Sequence, residues 1–320
     1  MKPGVSFSAI AVGITLALAS LGASAQDGIS SVTVSQQGNG NTSYAEQTVN
    51  YAPYGVASAA ITQIGNNNHV GGPGSTTGGL LQLNNSAPIE AIVQQNGTGN
   101  HAGIIQTDNG GVFPLIARIT QLGTNNVAAL TQDQSSDLQA TLAQSGTGNI
   151  ASVYQSGGTV SLKTAQNGVN NKVTIDQQSG GPYVGPNVTQ EGTENTASVS
   201  IYGAGPSGPT IVQTGTLNSA TTFQSLGFDS YININQLGSA NQATTSQTGD
   251  GQSITIDQNG NDNLADVSQL GGPAFPVSGN RALVAQIGNS NTAIVRQVGE
   301  AYVANVSQVG SGNYTNIYQH

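Results

Sequence analysis

The side chains that recur at fixed spacing in this sequence are carboxamides. The pattern Q-x-G-x-x-N occurs twelve times, led by Gln36, Gln63, Gln95, Gln121, Gln144, Gln166, Gln190, Gln213, Gln236, Gln258, Gln286 and Gln308. Its asparagine stands five residues on, at Asn41, Asn68, Asn100, Asn126, Asn149, Asn171, Asn195, Asn218, Asn241, Asn263, Asn291 and Asn313. In ten of the twelve a second glutamine follows six residues later: Gln47, Gln106, Gln132, Gln155, Gln177, Gln224, Gln247, Gln269, Gln297 and Gln319. A carboxamide carries two N–H donors and an acceptor oxygen, so equivalent groups stacked above one another satisfy each other without water. That is the chemistry of self-association rather than of catalysis. The leading glutamines lie 22 to 32 residues apart, a base period of 22 with insertions.

Catalytic and metal chemistry have little to work with. The three histidines are His69 and His101, beside repeat turns, and His320 at the C-terminus. They read as solvated residues, so a three-histidine metal site or a Ser-His-Asp triad is not expected. Gly71-Gly72-Pro73-Gly74 lacks the aspartates of a calcium-binding β-roll. No catalytic, metal or cofactor residue is therefore assigned, and the chain is not expected to be an enzyme. There is no cysteine, so no disulfide supports the fold. A net charge of −9 argues against nucleic acid or an anionic membrane as partner. Only 7% of residues are charged and 44 are glycine. A Gln/Asn-rich chain of such low charge favours cross-β order over disorder or a conventional globular core.

The elements that carry the amides read as strands. Around each pattern alternate positions are apolar or small, as in Ala117, Ile119, Gln121, then Asn126, Ala128, Leu130, Gln132. Period two marks a strand with one buried face. Between the two strands of a unit lies a turn whose glycine is free to adopt positive φ: Gly38, Gly65, Gly97, Gly123, Gly146, Gly168, Gly192, Gly215, Gly238, Gly260, Gly288 and Gly310. The charged strand residues, among them Glu46, Glu90, Arg118, Lys163, Lys172, Asp176, Asp257, Asp266, Arg281 and Arg296, all fall on outward positions. An inward unpaired charge would cost several kcal/mol, so this exclusion fixes the register. A two-stranded unit is marginal alone. A β-arch, in which each strand pairs with its equivalent in the next unit, lines up identical amides about 4.8 Å apart.

The expected architecture is an all-β solenoid of about twelve stacked strand–turn–strand repeats of ~22 residues. Residues 1–25 read as a secretory signal, with Lys2, an apolar stretch from Ile10 to Leu21 and the cleavage motif Ala23-Ser24-Ala25. Residues 26–30 form a short lead-in and 31–320 the repeat domain. Gly/Pro-rich insert loops are expected near 71–79, 107–115, 178–186, 203–209 and 271–279. In the second repeat Gln82 is placed to resume the amide column after the insertion. In the seventh, Ile201 stands where the closing glutamine belongs. The first and last repeats carry the same inward pattern as the middle ones, with only His320 after the last. Matching open edges at the two ends predict a head-to-tail filament.

The pattern Q-x-G-x-x-N-x5-Q, with alternating aliphatics and a secretory signal, resembles the curlin repeat of curli fibre subunits over Ser31 to Gln319. That resemblance implies an extracellular functional amyloid on the cell surface, a pilus-like fibre used in adhesion and biofilm matrix. It implies self-association into a homopolymer, a nucleator subunit and an outer-membrane export machinery as partners, with no membrane insertion. The last repeats carry only Arg281 and Arg296 as basic residues, unlike the basic terminal repeat of the nucleator, so the major-subunit role is expected. The chain departs from the family in having twelve repeats rather than about five. The serine six residues before the leading glutamine is present only as Ser30, Ser207 and Ser230. The segment between signal and first repeat is nearly absent. The alternative is a monomeric secreted β-solenoid, an adhesin or an ice- or polysaccharide-binding protein; the residues just before the leading glutamines, such as Ser35, Thr62, Gln94 and Val212, form no regular array for it.

Overall fold

The computed structural model describes residues 6–12, 29–48, 56–71, 78–83, 88–107, 114–133, 137–158, 160–178, 183–203, 208–225, 227–271 and 279–320. Among these every regular element is a strand. The chain divides into two compact units, residues 1–161 and 162–320, and each is a β-solenoid built from two facing parallel sheets.

In the first unit, sheet A runs β1 (Ser6–Val12), β2 (Ile29–Gln37), β5 (Val56–Asn66), β8 (Ile89–Thr98), β10 (Leu115–Thr124) and β12 (Leu138–Thr147). Sheet B holds β3 (Thr42–Ser43), β4 (Ala45–Gln47), β6 (His69–Val70), β7 (Leu80–Leu83), β9 (His101–Thr107), β11 (Val127–Asp133) and β13 (Ile150–Ser156). The insertion after Val70 splits one strand in two, and both pieces, β6 and β7, pair with β9. This unit has five rungs.

The second unit has seven. Its sheet A runs β14 (Val160–Val169, which begins at the border), β16 (Tyr183–Thr193), β18 (Thr210–Thr216), β20 (Tyr231–Ser239), β22 (Ser253–Asn261), β24 (Arg281–Asn289) and β26 (Val303–Ser311). Sheet B runs β15 (Lys172–Gln178), β17 (Thr196–Tyr202), β19 (Ser219–Ser225), β21 (Gln242–Thr248), β23 (Leu264–Leu270), β25 (Thr292–Val298) and β27 (Tyr314–Gln319).

Register follows the repeat. Gln121 lies opposite Gln95 and Gln144, and Gln247 opposite Gln224 and Gln269. The two strands of one rung sit in different sheets, which is the arch and not the hairpin. Inward positions alternate with outward ones along each strand, so β10 buries Leu115, Ala117, Ile119 and Gln121 and exposes Arg118. Each fully buried Leu or Ile, such as Leu142 in the first unit or Ile211 in the second, contributes about 1.5–3 kcal/mol. None of the charged strand residues named above is buried.

Pairing of β16 with β18 begins at Asn187, just after Pro186, so the missing N–H falls outside the ladder on that side. Most of the expected insert loops near 71–79, 107–115, 203–209 and 271–279, residues 179–182 of that near 178–186, and the Ala23–Ala25 motif lie outside the described residues; Tyr183 to Pro186 belong to β16. Within residues 1–25, β1 pairs in parallel with β2 and sets Ala11 opposite Gln36.

Candidate functional site

Three columns of amides run through each unit. Within sheet A of each unit, leading glutamines donate from Nε2 to Oε1 of the glutamine one rung on. In the first unit Gln63, Gln95 and Gln121 donate to Gln95, Gln121 and Gln144, each at 2.8 Å. In the second, the same 2.8–2.9 Å contacts link Gln166, Gln190, Gln213, Gln236, Gln258, Gln286 and Gln308. The other Nε2 proton goes to a backbone carbonyl, as from Gln213 to Thr196 at 3.0 Å.

Sheet B repeats the device. Gln47 donates to Gln82, Gln82 to Gln106, Gln106 to Gln132 and Gln132 to Gln155. In the second unit Gln247 donates to Gln269, Gln269 to Gln297 and Gln297 to Gln319. Gln82 thus carries the column across the insertion.

The asparagines run the other way. Asn218 donates from both N–H and Nδ2 to Oδ1 of Asn195, one rung back, at 3.0 Å each. Its Nδ2 also reaches forward to the Gly238 carbonyl at 3.0 Å, so one side chain ties three rungs. The same contacts join Asn68, Asn100, Asn126 and Asn149 in the first unit and Asn195 to Asn313 in the second.

The arch glycine permits that approach. A Cβ on Gly215 would stand 2.0 Å from the Gly238 carbonyl oxygen, at a φ of +120°. A second left-handed position, four residues after the leading glutamine, escaped the sequence reading. It holds Gly40, Gly99, Gly148 and Gly312, but also Asn67, Asn125, Asn170 and Asp262, with φ between 53° and 71°. Its enrichment in Gly and Asn was the available signal.

The position six residues before the leading glutamine, read from the sequence only for its serine, also faces inward. In the first unit it is an apolar column, Ala57, Ile89, Leu115, Leu138 and Val160. In the second, Ser230, Gln252 and Asn280 occupy it and are buried, with Ser230 Oγ accepting from the Gln252 N–H and donating to the Gly249 carbonyl.

Among the described residues the sheet B column of the second unit has a defect, and the first and last rungs differ from the interior ones. Ile201 is buried between Gln177 and Gln224 in register. No amide is there to donate to Gln224 Oε1, which is buried without a partner. Gln224 Nε2 turns to the Ser230 carbonyl, and Gln247 Oε1 is left without a partner in its turn. At the ends, Gln47 and Gln319 are half-buried and Asn313 is exposed, whereas Gln308 remains buried.

Outside the core, tyrosine hydroxyls donate to carboxylates: Tyr44 to Glu46, and Tyr202 to Asp176, both at 2.7 Å. Each of these hydrogen bonds holds its phenol above the usual tyrosine value. His69 lies opposite His101 on adjacent rungs. Burial, and then its neighbour His101, push His69 below the ordinary histidine value.

Residues 238–271 match the family model described as the curlin associated repeat. That stretch runs from the Gly238 arch through Asn241 and Gln247 to the whole next rung, with Gln258, Gly260, Asn263 and Gln269. No curated protein matches the chain. Residues 238–271 are thus similar to the curlin repeat, and the same residue types occupy the same register in rung after rung outside the matched stretch.

Proposed function

We propose that this protein is a secreted structural subunit of an extracellular curli-like amyloid fibre, extending head to tail, with no enzymatic chemistry of its own. Adhesion and biofilm matrix are the roles that such a fibre serves, and a nucleator and an outer-membrane exporter are its expected partners. The observation that carries this reading is the polarity of the ladders. In the last rung the Nε2 groups of Gln308 and Gln319 have no following glutamine to donate to and are held instead by the Thr292 and Val303 carbonyls and Thr315 Oγ1, and Asn313 Oδ1 has no following asparagine N–H to accept from. The first rung offers the complement: Gln36 Oε1, buried without a partner, and the N–H of Asn41. Stacking last rung on first matches donor to acceptor in every column. Stacking like ends sets donor against donor or acceptor against acceptor. In the full chain β1 occupies the β2 edge; removal of residues 1–25 as a signal uncovers it.

The test is dilution of the purified chain lacking residues 1–25 out of denaturant. Fibres that bind amyloid dyes and diffract at an inter-strand spacing of about 4.8 Å along the axis are expected. A soluble monomer persisting for days at micromolar concentration overturns the reading. Gln308 and Asn313 substitutions are expected to slow growth more than changes at outward Ser307.

A second reading, a solenoid that binds polysaccharide, draws on one face of the second unit. Outward Thr196, Ser198 and Ser200, then Thr221, Thr244 and Ser246, set uncharged hydroxyls on adjacent strands of sheet B. Such a face is equally available on a fibre.

A further inference from the structure

We propose that His69 and His101 form a two-histidine surface site for a borderline divalent transition ion, zinc, which clips the second rung of the first unit to the third. The two residues are far apart in sequence, but each follows a ladder asparagine, Asn68 and Asn100, and so takes the same outward register position. The fold sets them opposite one another on β6 and β9, with ring centres 5.4 Å apart and planes inclined at 63°. Two imidazoles bound to one tetrahedral zinc at Zn–N of roughly 2.0–2.1 Å have ring centres about 5 Å apart, so the pair is already spaced for a shared ion.

A second contact orients one ring. Thr42 Oγ1, one rung back in the same column, is hydrogen-bonded to His69 Nδ1. With Nδ1–H donating to that oxygen, Nε2 presents its lone pair. An outer hydrogen bond of this kind is how metal-bound histidines are held in one tautomer. The flanking members of the column, Thr42 and Val127, bring no positive charge to repel a cation. Among the described residues no group of three or more His, Cys, Asp or Glu converges as a metal cluster. The remaining coordination positions therefore fall to water or an external ligand. β6 is a two-residue strand cut short by the insertion, so the ion would tie a short strand to its neighbour β9.

The test is zinc titration of the untagged, folded full chain near neutral pH, followed by calorimetry. One zinc per chain is expected, with no binding of magnesium. His101→Gln, at an exposed position, is expected to keep the far-UV circular dichroism spectrum and lose the zinc. Thr42→Val is expected to weaken binding by about tenfold, and His320→Gln to leave it unchanged. Zinc is expected to raise the denaturant midpoint of the parent but not of His101→Gln. Undiminished binding by His101→Gln, or equal affinity in the urea-unfolded chain, overturns the proposal.

Discussion

A leucine at a ladder position would bury as well as a glutamine, yet the amide is kept because its neighbours are amides. In a dry core an amide whose partner is missing costs about 1–3 kcal/mol, so a column is stable when complete and costly when broken. Ile201 makes this measurable. Ile201→Gln is expected to be neutral or stabilising, because the new Nε2 supplies the donor that Gln224 Oε1 lacks. Ile211→Gln, which replaces an equally apolar buried residue outside the columns, is expected to cost about 2–5 kcal/mol. Denaturant midpoints of the two variants test the contrast, and equal losses would remove the ladder from the energetics. Asn218→Ala, which strips contacts to three rungs, is expected to cost about 3 kcal/mol or more. On the surface the stakes are smaller. The hydrogen bond to Asp176 raises the Tyr202 pKa, so whatever that pair contributes is fully present below 10.0 and is lost as pH rises through the higher folded value. The Tyr202 phenolate, taken as the difference between the parent and Tyr202→Phe titrations, is expected above pH 10.0. Asp176→Ala is expected to return it towards that value.

At the scale of the strand and arch, sequence periodicity carried most of the information. Alternation located the strands and their buried faces because an inward charge is prohibitive, and the Q-x-G-x-x-N arch has constant length, so its residues stay in phase. The arch glycine was legible for the same reason. Its partner four residues after the glutamine was not, since Glu194, Leu217, Ala240 and Ser290 dilute the Gly and Asn found there. The second corner was illegible because connections of varying length feed it and because its chemistry changes from Leu115 and Leu138 in one unit to Gln252 and Asn280 in the other. The histidine pair was hidden by distance along the chain; only rung-to-rung register brings His69 to His101. The two left-handed arch positions predict opposite outcomes for one kind of exchange. Gly238→Ala would set a Cβ 2.0 Å from the Gly260 carbonyl oxygen at φ +118°, with only backbone to give way, and is expected to cost at least about 3 kcal/mol. Ala240→Gly relieves a left-handed alanine at φ 55° and is expected to stabilise by about 1 kcal/mol. Chemical denaturation of both variants reads the two signs directly.

For the whole molecule the informative comparison is between the last rung and the one beneath it. Ala293, Val295 and Gln297 on β25 are at most 1% exposed, whereas Thr315 and Ile317, their register partners on β27, are half-exposed along with Gln319. The last rung is therefore built to an interior pattern while one side of it meets solvent. This gives a substitution whose effect on assembly separates from its effect on folding. In the isolated chain Ile317→Lys leaves the ammonium a short path to water, so stability is expected to change by about 1 kcal/mol or less. Under a stacked rung the same charge would be buried without a partner, at a cost of several kcal/mol. Ile317→Lys should thus add to a parental fibre end through its own first rung and then refuse the next subunit, acting as a chain terminator well below equimolar amounts. Val295→Lys places the charge inside the folded unit and is expected to unfold its rungs without terminating growth. Seeded elongation followed by dye fluorescence distinguishes the two, and undiminished growth in the presence of Ile317→Lys would mean that the exposed face of the last rung is not where subunits meet.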